Sequence, residues 1–142
     1  MRKRRKQPNR RGAVMVEMAI VLPFFMLILL GIIEFGRAMM VSQLITTAAR
    51  DGCRLAILGG SSNAEVEQTV KHFLKETLGV DSQDVTISVS ATGDEAGSEV
   101  ADAQKGDLCT VHVEVPYDKV GWIQGSYLAG KELKGVCIMR HL

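Results

Sequence analysis

The sequence predicts an α+β fold: a long N-terminal helix leading into a small domain with a second helix and a short antiparallel sheet. Three observations carry this. Residues 13–33 contain a single charge, Glu17. Helical periodicity continues beyond that run to Leu58 and returns between Ser62 and Gly79. Further on, residues 84–91 and 108–115 alternate apolar and polar side chains with a period of two, the pattern of half-buried strands.

Charge is distributed unevenly along the 142 residues. Seven of the 17 Lys and Arg residues lie in 1–12, which hold no acid, so the remaining ten face all 16 Asp and Glu, a net of −6. The apolar run that follows is 21 residues long. As a helix rising 1.5 Å per residue it reaches about 30 Å, the thickness of a hydrocarbon core. The basic flank predicts a cytoplasmic N-terminus and an exported acidic C-terminal part. The division is a leader over 1–12, a transmembrane helix over 13–35 and an exported domain over 36–142. The run is too long for a typical signal-peptide core, and Glu34-Phe35-Gly36-Arg37 is no small-x-small cleavage site. Cys53 lacks a lipoprotein context, and Arg10-Arg11 lacks the rest of a twin-arginine motif.

The helix is expected to run from about 13 to 58. Val41, Leu44, Ile45, Ala48, Leu55 and Leu58 form an apolar stripe, with Gln43, Thr47, Arg50, Asp51 and Arg54 on another face. Gly59-Gly60 ends it, and Pro23 favours a kink within the span. Ser62 and Glu65 have capping-box spacing for a second helix, with Val66, Val70, Phe73, Leu74 and Thr77 on one face and Gly79 as its stop. In the first strand Val85, Ile87, Val89 and Ala91 share a side; in the second, Cys109, Val111, Val113 and Val115 do. Residues 92–107 read as a polar connection. Pro116 closes the second strand, Trp122, Ile123, Tyr127 and Leu128 fall in a mixed segment, and 133–140 reads as the last strand.

Four blocks together resemble a known family: Arg11-Gly12-Ala13-Val14-Met15-Val16-Glu17, Ile20-Val21-Leu22-Pro23, Gly31-Ile32-Ile33-Glu34-Phe35-Gly36-Arg37 and Ala48-Ala49-Arg50-Asp51-Gly52-Cys53-Arg54. They look like a TadE-like minor pseudopilin of the tight-adherence (Flp) branch of type IV pilus systems. The similarity is dense over 11–56. One departure is Met18, where this family often has an aromatic residue.

The resemblance implies a bacterial inner-membrane subunit of a pilus or related secretion apparatus. A prepilin peptidase would cut between Gly12 and Ala13. Its partners would be other pilins and pseudopilins and an inner-membrane assembly platform. Glu17, costly in lipid without a partner, would meet the ammonium freed at Ala13 or that of a neighbouring subunit. The plainer readings are a flexible joint at Gly12 and a snorkelling carboxylate at Glu17. The rival reading of the whole chain is an uncleaved single-pass protein whose exported domain is a scaffold or binding module.

Other residues suggest less. Glu34 and Arg37, three apart, have the spacing of a helix-face pair just outside the membrane. Arg50 and Arg54 suit either a subunit contact or a solvated face. Export would expose Cys53, Cys109 and Cys137 to an oxidising compartment. Cys109 with Cys137 is the expected bond, since both lie on strands, leaving Cys53 buried or free. His72, His112 and His141 are scattered, with no metal-ligand spacing, and no cofactor is expected. The chain has no nucleophile elbow or phosphate loop, so it is not expected to be an enzyme. Beside a membrane span the basic leader reads as an orientation signal, with no nucleic acid as partner.

Overall fold

The computed structural model describes residues 10–58, 60–92, 99–121 and 128–141. Helix α1 spans Arg10–Ala56, 47 residues and about 70 Å at the usual helical rise. It begins three residues before the expected start and passes through Gly12 and Pro23 without interruption. From Val14 to Ile33 its large apolar side chains are exposed. A stripe of that length and character needs lipid or neighbouring helices around it. The helix is long and apolar enough to cross a membrane once.

Past residue 33 the same helix becomes part of a core. Glu34, Ala38, Val41, Ile45, Ala48, Ala49, Gly52, Cys53 and Ala56 are buried at three- and four-residue intervals, so one face meets the domain throughout. Most of this stripe is small, which lets neighbouring backbones come close. A Cβ on Gly52 would lie 2.8 Å from Val70 Cγ2, and one on Gly135 would lie 3.0 Å from the backbone carbon of Ile45. Leu58, expected on the stripe, is exposed instead. The helix has ended at Ala56, and Gly60, at φ +81°, turns the chain away.

Helix α2 covers Asn63–Leu78. Its capping box is complete: Ser62 Oγ accepts from Glu65 N, and Glu65 Oε2 accepts from Ser62 N. Gly79 ends it in the left-handed region (φ 69°), donating its N–H to Lys75 O. Val66, Val70 and Leu74 are buried against α1 and the sheet.

Strands β1 (Thr86–Thr92), β2 (Leu108–Pro116) and β3 (Glu132–Arg140) form one antiparallel sheet in that order. Both helices cover one face. The alternation in β2 is realised, with Cys109, Val111, Val113 and Val115 fully buried. Val85 is buried just before β1 begins. The β1–β2 connection is pinned to the start of α2, where Asn63 N donates to Glu99 Oε2 and Asn63 Oδ1 accepts from Val100 N. The β2–β3 connection starts with a single 3-10 turn, Tyr117–Lys119, and Gly130 N donates to the Asp118 carboxylate. Leu128 packs against the core; Trp122, Ile123 and Tyr127 lie outside the described residues.

Candidate functional site

The N-terminal turns of α1 carry the first group of expected residues. Gly12 and Ala13 are helical and exposed, and nothing approaches within 4 Å of the position a Gly12 side chain would take. Glu17 is exposed four residues further on, which puts it on the same helix face as Ala13, one turn away. Among the described residues Glu17 has no hydrogen-bond or ion-pair partner. The structure thus places an ionisable side chain on an otherwise apolar, exposed stretch of helix that precedes the residues packed on the domain.

The second group lies where the apolar stripe gives way to the core. Glu34 is 6% exposed, and its Oε1 accepts from Leu128 N at 3.3 Å. The hydroxyl of Tyr117 donates to the Glu34 carbonyl oxygen at 3.3 Å. One turn on, Arg37 Nε donates to Val120 O at 3.2 Å. Three bonds therefore tie one turn of α1 to the β2–β3 connection, across 83 to 94 residues of sequence. Burial, and then the nearby Glu34 carboxylate, raise the Tyr117 hydroxyl above the usual phenol range, and Arg37 partly offsets this. The group stays a donor through neutral pH. Tyr117 and the Leu128 amide are the contributors the sequence did not reveal; a Tyr directly after the strand-closing Pro116 was the available signal.

Arg50 and Arg54 are exposed on the face of α1 opposite the core. Arg50 lines a shallow groove with Met39, Ser42, Gln43, Thr46 and Thr47. Thr46 and Thr47 hydroxyls donate back to Ser42 O and Gln43 O, so the groove is polar but largely self-satisfied.

The three cysteines converge under α1, and all are free thiols. The sheet register pairs Cys109 with Met139 and Cys137 with Val111. Cys109 and Cys137 are therefore diagonal neighbours, typically about 7–8 Å apart, against a Cβ spacing of about 4 Å in a disulfide. The ladder does not favour the bond expected between them. Cys53 Sγ instead lies 3.0 Å from Cys137 O and 3.8 Å from Cys109 O. Among the described residues no group of three His, Cys, Asp or Glu side chains is arranged to hold a metal ion.

Residues 12–54 match the model of the family described as TadE-like protein. No curated protein and no solved structure matches the chain significantly. The N-terminal segment is thus TadE-like. The match opens at Gly12, closes near the end of α1, and contains Glu17, Glu34, Arg37, Arg50 and Arg54.

Proposed function

We propose that this chain is a pseudopilin-like subunit for assembly of a tight-adherence pilus or related secretion apparatus in a bacterial cytoplasmic membrane. It is made as a precursor, a prepilin peptidase cuts after Gly12, and the subunit assembles through its N-terminal helix. It has no catalytic task of its own. Residues 1–12 are cytoplasmic, α1 crosses the bilayer, and the domain packed on its second half is exported. The partners are the peptidase, other pilins and pseudopilins, and an inner-membrane assembly platform.

The observation that carries this reading is the TadE-like match together with Glu17 exposed on an apolar helix that lacks a covering layer. A carboxylate in lipid is penalised until it meets a cation. Cleavage after Gly12 frees an ammonium at Ala13, one turn from Glu17. Paired between two chains instead, the same groups would fix their axial stagger, because each ion would then depend on its neighbour for a match.

Processing requires a local change. Proteases take extended backbone, and here Gly12 lies within helix. The first turns of a helix have unpaired N–H groups and fray, and glycine costs about 1 kcal/mol in a helix relative to alanine. Unwinding as far as Ala13 is therefore cheap, and Gly12 lowers the barrier at the bond to be cut.

The continuity of α1 through Gly12 also suits the rival, an uncleaved single-pass protein with a scaffold or binding domain outside. Substituting Glu17 by Ala separates the two. The pseudopilin reading predicts normal membrane insertion with loss of assembly into the apparatus; normal assembly of that variant would count against it.

A further inference from the structure

We propose that Cys53 and Cys137 form a disulfide that clasps α1 to the edge strand β3, leaving Cys109 reduced. The bond rests on the reading that this domain is exported, since thiols persist in the cytoplasm.

The geometry selects this pair from the three. Cys53 projects from the buried face of α1 onto the sheet, its thiol donating to the backbone carbonyl oxygen of Cys137 at 3.0 Å. Cys109 is further from Cys53, at 3.8 Å from sulfur to carbonyl oxygen, and diagonal to Cys137 across the ladder. Exposure supplies an order of events. Cys53 and Cys109 are fully buried, whereas Cys137 is half-buried and accessible to an external reagent.

The oxidant is a disulfide, carried by a small molecule or a protein. The Cys137 thiol loses its proton, and its sulfur attacks one donor sulfur; a mixed disulfide forms and the first donor thiol leaves. Cys53 then loses its proton and attacks Cys137 sulfur, expelling the second donor thiol. Two thiols become one S–S bond, and the donor disulfide takes up the two electrons and two protons. Burial, and then the neighbouring Cys137 side chain, push Cys53 up to about 12. The second step is accordingly the slow one, and it accelerates about tenfold per pH unit while Cys53 stays mostly protonated.

The consequence is mechanical. β3 is an edge strand joined to the sheet only through β2. A bond from it to α1 closes a long loop, where cross-links stabilise most in the chain-entropy account. It secures the domain to the helix by which the subunit would be drawn from the membrane.

The test uses the full chain, purified reduced in detergent and incubated with glutathione disulfide at about pH 9 to speed the second step. The protein is then quenched, denatured and alkylated, and tryptic peptides are identified by mass. The expected result is peptide 51–54 linked to peptide 135–140, with peptide 106–119 alkylated; Cys109→Ser should leave that link intact. A link involving 106–119, alkylation of all three cysteines, or peptide 135–140 held as a glutathione adduct would overturn the proposal. The oxidant is added to purified protein, so failure here is independent of membrane orientation. Protease access to the domain in spheroplasts reads that orientation separately.

Discussion

Gly135→Ala tests how the domain is held on the long helix. The added methyl would stand 2.8 Å from Ile45 Cγ2, 3.0 Å from Ile45 C and 3.1 Å from Ile45 O. Two of those atoms are helix backbone and cannot rotate away. The third belongs to a fully buried β-branched side chain, which in a helix has essentially one rotamer. Relief requires β3 and α1 to separate by a few tenths of an ångström along their contact. Overpacking of this kind costs about 1–3 kcal/mol, and the backbone contacts place this site near the upper end. Replacing glycine in a strand returns roughly 0.5–1 kcal/mol through the unfolded chain. The net expectation is destabilisation by about 2 kcal/mol. Urea denaturation of the full chain in detergent measures it, with Val136→Ala, on the exposed face of the same strand, as a control within about 0.5 kcal/mol of the parent. In an Ile45→Ala background the Gly135→Ala penalty should shrink without vanishing, because the backbone contacts remain. Unchanged stability of Gly135→Ala, or complete rescue by Ile45→Ala, would refute the close approach of the two backbones.

Three further outcomes follow from named contacts. Tyr117→Phe removes the bond to Glu34 O and should destabilise the junction by about 0.5–1.5 kcal/mol, read as earlier hydrogen exchange at Leu128 and neighbouring amides. Gly12→Leu should accumulate the unprocessed precursor on a gel, and normal maturation of that variant would contradict the cleavage site. The Lys134 ammonium, 2.6 Å from Glu114 Oε1, holds the Glu114 carboxyl below its usual range. Its contribution is present above the unfolded carboxyl pKa and lost as pH falls through the folded one. Lys134→Met should therefore lower stability at neutral pH and flatten its dependence in the acid range.

Much of the architecture was legible because local chemistry and tertiary packing agree. The Ser62 box, the Gly79 stop and the alternation of β2 each require only neighbours in sequence, and each appears as expected. The apolar run likewise fixes a long helix whatever the domain does. What stayed hidden depends on distant partners. Glu34 and Arg37 have the spacing of an i, i+3 pair, but spacing could not reveal that the β2–β3 connection brings an amide to the Glu34 carboxylate and a phenol to its carbonyl oxygen. The cysteine arrangement hinges on sheet register, which alternation does not specify: it sets Cys137 beside Val111 and brings Cys53 down from the helix. Leu58 had the right spacing for the stripe, but the helix had already ended. The importance of Gly52 and Gly135 emerges only from tertiary packing, which presses valine side chains onto Gly52 and the Ile45 backbone onto Gly135.

The subunit reading depends on a carboxylate that acquires its cation when the basic leader is removed. Intact mass and N-terminal sequence of the chain purified from membranes of its native host test this most directly. A polypeptide beginning at Ala13 is the predicted result. One that still begins at Met1 would contradict the account and leave an anchored exported domain.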